Sequence, residues 1–184
     1  MDRREAIKTS SLILGYAVTA TTAAAVLNGC QADRSIDWTP KYLDKKQALL
    51  VGDISELIIP KTDTPGAKEA MVDRFIDAML GAWKPEDRTL FTTALVDFDT
   101  EAEKQFKRGF VKCTKEQQIK VLDVLVEDSK NKDSHIFKTM KELTVVGYCK
   151  SELGATTLLT YDPVPGAPYE GCVDFSTVGA TYSL

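Results

Sequence analysis

Histidine is almost missing from this chain, with His135 the single one in 184 residues. A His-rich metal site is therefore excluded, and a lone imidazole acting as a base would need positioned partners. Also missing are G-x-G-x-x-G, a Walker loop, H-E-x-x-H and G-x-S-x-G, so dinucleotide, P-loop, zincin and hydrolase chemistries have no sequence support. Without C-x-x-C-H there is no covalent c-type haem. Basic charge is not in excess either: 23 Lys and Arg face 27 Asp and Glu, a net of −4. A nucleic-acid partner would call for a basic stripe, and none is present. The longest uncharged apolar run, Leu12 to Val26, would rise about 22 Å as a helix against a hydrocarbon core of roughly 30 Å, short of a permanent span. What remains has ordinary globular composition and a length that suits one core.

That apolar run comes after a charged lead, Met1-Asp2-Arg3-Arg4-Glu5-Ala6-Ile7-Lys8, which is the layout of an export signal over residues 1–29. The pair Arg3-Arg4 with Lys8 resembles a twin-arginine signal, and the Thr and Ser residues between Thr9 and Thr22 keep its apolar run weakly hydrophobic. Leu27-Asn28-Gly29-Cys30 resembles a lipobox, which makes Cys30 the expected lipidation site. Acyl chains there would hold the mature chain to a membrane surface, each buried methylene contributing roughly 0.8 kcal/mol. Residues 30–43 then read as an anchor and polar tether, and 44–184 as the folded domain.

The domain reads as all-α, a compact bundle of about five helices. Leu49, Leu50, Ile54, Leu57 and Ile58 give a first helix from Asp44 to Ile59, ended by Pro60. Lys61 to Gly66 form a turn. Met71, Val72, Phe75, Ile76, Met79, Leu80 and Trp83 make the apolar stripe of a second helix from about Ala67. Pro85 opens a third, through Leu90, Phe91, Ala94, Leu95 and Phe98 towards Phe106. Thr114 with Gln117 reads as a capping box for a fourth, and Ser134 caps a fifth carrying Phe137, Met140, Leu143 and Val146 up to Gly147. From Ser151 to Leu184 the periodicity fades into an irregular arm rich in Gly, Pro and Tyr, a length of loop that is usually functional or ordered by a partner.

The chain has four cysteines. With Cys30 lipidated, Cys113, Cys149 and Cys172 leave one pair and one odd thiol in an oxidising compartment. Cys149 and Cys172 flank the arm and are the candidate pair, a loop closure contributing roughly 3 kcal/mol. The odd thiol is then buried or bonded to a partner. Carboxylates at Asp73 and Asp77 share a helix face, and the plain reading is solvated charge opposite the apolar stripe.

Three stretches resemble the gluconate 2-dehydrogenase subunit 3 family. They are Ile58-Ile59-Pro60-Lys61-Thr62-Asp63-Thr64-Pro65-Gly66-Ala67 with Val72-Asp73-Arg74-Phe75-Ile76-Asp77, then Leu143 to Gly154, then Tyr161 to Cys172. The resemblance implies a small accessory subunit without catalytic residues, cofactor or metal of its own. It implies a large FAD-bearing flavoprotein partner of the glucose-methanol-choline type, a cytochrome c or quinone as electron acceptor, and a periplasmic or cell-envelope location. It further implies that this chain supports export and maturation of that partner. Tyr148, Ser151, Glu152, Tyr161, Pro163, Pro165, Gly166 and Tyr169 are the candidate partner interface, aromatic anchors on a backbone constrained by Gly and Pro.

Two other readings stay beside it: a free-standing exported lipoprotein of the same fold with another partner, and an enzyme using Asp73, Asp77 or Glu152. If Cys30 carries the anchor, Cys30→Ser leaves the domain folded and moves it from the membrane to the soluble fraction on cell fractionation. Unchanged partition would point to an uncleaved signal or retention by a partner.

Overall fold

Asp44 starts the first helix by local chemistry alone. Its carboxylate accepts from the Gln47 backbone N–H at 2.7 Å while the Gln47 side chain accepts from Asp44 N at 3.0 Å, a reciprocal cap. The computed structural model describes residues 34–130, 132, 135–159, 174 and 176. The chain divides between Arg34 and Ser35, and every helix among the described residues lies in the second unit.

Helix α1 is Lys45–Ile58, α2 Val72–Ala82, α3 Pro85–Ala94 and α4 Val96–Phe106. A 3-10 turn, Phe110–Lys112, leads to α5 Lys115–Ser129, α6 Ile136–Lys150 and a short α7 Glu152–Thr157. No strand occurs among the described residues, so the all-α expectation holds. Helices α1, α2 and α6 pack against one another; α4 packs on α5, and that pair meets the others where the 3-10 turn touches α1 and α5 touches α6. The core has Ile54, Ile76, Leu80, Leu95, Phe98, Phe110, Val121, Met140 and Tyr148 at its centre. Phe98 and Phe110 meet edge to face at 6.0 Å.

Several local expectations need correction. The second helix begins at Val72, because residues 67–70 form turns and Met71 sits in the left-handed region at φ 53°. Met71 is 53% exposed and leaves the apolar stripe. The third helix is two, meeting at Leu95; Thr89 and Thr92 hydroxyls donate back to the carbonyls of Pro85 and Arg88, a pattern that bends helices. Leu90 faces solvent at 69% exposure. His135, rather than Ser134, caps α6, its Nδ1 accepting from Phe137 N at 3.1 Å.

Gly147 does not end its helix: α6 runs on to Lys150 with Val146 exposed, and α7 at Glu152–Thr157 makes the first residues of the expected arm helical. The glycine serves packing, since a β-carbon there would stand 2.6 Å from Phe75 Cδ1. Gly147→Ala should overpack the α2–α6 contact and cost about 1–3 kcal/mol, read as a lower urea midpoint at unchanged m-value. Phe75→Leu in the same chain should recover part of the loss.

Candidate functional site

Pro60 stops α1, and the loop after it is braced from both sides. Glu56 Oε1 accepts from Lys61 N at 3.0 Å and Oε2 from Lys68 N at 2.9 Å, so one carboxylate spans the loop's two ends. Ala67 N donates to Ile59 O at 2.9 Å beneath it. Gly66 sits where a β-carbon would lie 2.6 Å from the Glu56 carboxylate, so the brace needs a residue without one. Lys61, Thr62 and Asp63 are left exposed at the tip, with Lys61 ion-paired to Glu69.

From the other side comes Tyr148, 1% exposed, whose hydroxyl donates to Pro65 O at 2.7 Å. Beyond it Ser151 closes α6 and opens α7: its hydroxyl donates to Tyr148 O at 2.7 Å and accepts from Gly154 N at 3.0 Å. Gly154 lies so close to Tyr148 O that a β-carbon would stand 1.9 Å away. The first two of the three sequence stretches therefore meet in space, at Pro65 with Tyr148 and at Phe75 with Gly147.

This alters the interface reading. Tyr148 is spent inside the domain and Ser151 on the helix junction, leaving Glu152 as the exposed member of that set among the described residues. Tyr161, Pro163, Pro165, Gly166 and Tyr169 lie outside the described residues, as do Arg3, Arg4, Lys8, Cys30 and Cys172. Cys149 is half-buried on α6. Cys113 is the buried thiol, and burial pushes its pKa up, so little thiolate forms at neutral pH.

The acidic pair on α2 is also not solvated charge. Asp77 is 4% exposed, and its carboxylate collects three main-chain donors: Lys41 N at 2.9 Å, Tyr42 N at 3.0 Å and Leu43 N at 2.9 Å. Asp73 accepts from Trp38 Nε1 at 3.0 Å, and Arg74 between them pairs with Asp37 at 3.0 Å. The Tyr42 ring covers Gly81, where a β-carbon would be 2.7 Å from it, and Arg88 lies 4.8 Å over that ring. From Asp37 onward the expected tether is thus clasped along α2. Spacing showed the shared face of Asp73 and Asp77; their partners, 34 to 36 residues earlier, left no sequence signal.

A second buried carboxylate, Asp53, is held by Lys68 Nζ at 2.7 Å and Gln118 Nε2 at 3.3 Å, and Gln118 also donates to Phe110 O at 3.0 Å. These groups tie the loop, α5 and the 3-10 turn to α1. Among the described residues no group of three His, Cys, Asp or Glu is placed to hold a metal ion, and no helix is long and apolar enough to cross a membrane. A recess of about 140 Å³ beside the Lys46–Asp99 pair, lined by Gln47, Leu50, Thr92 and Leu95, is below the roughly 300 Å³ of ordinary ligand pockets.

Fold and site together define a small all-α domain whose surface is organised by a braced loop and a clasped leader segment. The chain belongs to the gluconate 2-dehydrogenase subunit 3 family, whose family model matches residues 45–166. The family is that of a subunit of a dehydrogenase complex. No curated protein and no solved structure matches the chain. The match covers the braced loop and the α6–α7 junction, while the clasped segment 37–43 precedes it.

Asp77→Ala should leave three main-chain donors without their acceptor. At about 1 kcal/mol net for each bond, the loss of stability is about 3 kcal/mol, measured by urea unfolding. Limited proteolysis should then cut within residues 37–43 first. An unchanged midpoint with an intact leader would show that the clasp holds without its carboxylate.

Proposed function

We propose that this chain is the non-catalytic small subunit of a flavin-dependent, gluconate 2-dehydrogenase-like oxidoreductase. Its partner is a large flavoprotein of the glucose-methanol-choline type holding FAD, with a cytochrome c or quinone receiving electrons. The small subunit leads the folded partner through a twin-arginine route, supports its maturation and keeps it at the membrane of the periplasm or cell envelope through Cys30. The observation that carries the reading is the family match over residues 45–166. The signal-like layout around Arg3, Arg4 and Lys8 and the lipobox-like Leu27 to Cys30 add the address.

The physical logic is that a flavin-loaded, folded protein cannot thread through a channel built for unfolded chains. A signal on a small bound subunit moves both. Binding then needs a surface that is itself rigid before the partner arrives, because ordering a loop on association costs free energy. The brace by Glu56 and Tyr148 supplies that order at Lys61, Thr62 and Asp63, and Glu152 lies just past the Ser151 junction. These residues, with the arm carrying Tyr161 and Tyr169, form the proposed docking surface.

Arg3→Lys with Arg4→Lys tests the route, since charge is kept and arginine-specific recognition is lost. Both subunits should vanish from the exported fraction, and the flavoprotein should accumulate inside the cell. A large subunit still exported and active would sink the carrier role.

A further inference from the structure

The clasp places a particular set of side chains where the leader enters the domain. Along α2 lie Met71, 53% exposed, then Trp38 with Arg74 at 5.9 Å over its ring, exposed Lys41, Tyr42 at 39% exposure, and Arg88 stacked on Tyr42. Aromatic rings beside arginines and a protruding methionine suit the boundary between phospholipid headgroups and acyl chains, where Trp and Tyr settle and cations meet phosphate.

Chain length says what this face meets. It rests on the lipid anchor proposed above. Six residues lie between Cys30 and Asp37, which is paired to α2 through Arg74, and those seven chain steps reach at most about 25 Å when fully extended. A domain of about 150 residues has a radius of gyration of roughly 15 Å and so spans about 40 Å. The leash is shorter than the body it holds. The clasp therefore cannot occupy the pole of the domain farthest from the membrane, and tethering keeps it at high effective concentration near the lipid.

We propose that this strip, Met71, Trp38, Tyr42 and the cations Arg74, Lys41 and Arg88, is a phospholipid-contacting face that sets the orientation of the anchored domain. No part of it lies on the braced loop proposed for the protein partner, so lipid and partner do not compete for the same residues.

The test uses the full chain carrying Cys30→Ser, so that no acyl chain contributes, with vesicles of phosphatidylethanolamine and phosphatidylglycerol. Hydrogen exchange should slow several-fold at residues 36–42 and 71–75 when vesicles are added. Met71→Asn combined with Lys41→Gln should abolish that slowing and leave exchange without vesicles unchanged. Asn is tolerated at the left-handed φ of position 71, and position 41 still offers its main-chain N–H to Asp77, so the clasp itself stays intact. Slowing confined to residues 1–29, equal in both proteins, would overturn the proposal. The mass of the unsubstituted chain extracted from membranes tests the anchor separately. A diacylglyceryl adduct on Cys30 with no slowing at the strip would overturn the contact and keep the anchor; an unmodified Cys30 with the strip protected would do the reverse.

Discussion

Tyr148 must bury a large ring and still satisfy one hydroxyl, and the carbonyl of Pro65 is what satisfies it. Much of the domain depends on that bond. Helix α6 has to continue past Gly147 to carry the tyrosine inward, so the glycine becomes a contact point for Phe75. The turn into α7 has to pass against Tyr148 O, which only a glycine at 154 permits. The loop after Pro60, otherwise a solvent-exposed turn, is held to the core at one end by the tyrosine and across its base by Glu56.

Buried carboxylates do a second kind of work. Asp53 and Asp77 are each 4% exposed, and a charge so placed is tolerated because hydrogen bonds replace its water. Asp53 joins elements from the two sides of α1 through Lys68 and Gln118, while Asp77 holds main chain. Among the described residues no buried polar side-chain atom lacks a partner. The acids that could have suggested catalysis are occupied in holding the fold, which gives the enzyme reading no support from Asp73 or Asp77.

Where structure depends on neighbours a few residues apart, it was readable from the sequence. The reciprocal cap at Thr114 with Gln117 lies as expected, and so do the inward positions Leu50, Ile54 and Ile76. Expectation failed where a residue answers to something distant. Tyr148 looked like a surface anchor because nothing in its own helix reveals Pro65, 83 residues away. Met71 fitted the helical period, yet its backbone is left-handed because the chain must turn between the braced loop and α2. Leu90 fitted too, yet it faces solvent on an α3 that ends at Ala94, where the expected single helix is broken at Leu95. The family stretches were legible as words, while the contact between them, Phe75 on Gly147, belongs to three dimensions alone.

Asp77 grips its segment only by main-chain amides, and such a grip is blind to side-chain identity. The grip itself therefore accepts any residue at positions 41 to 43, proline excepted, because proline alone lacks the hydrogen to offer. Sequence change is therefore read at different places in one short segment: Asp37, Trp38 and Tyr42 hold α2 through their side chains, while the path of residues 41 to 43 is set by the backbone alone.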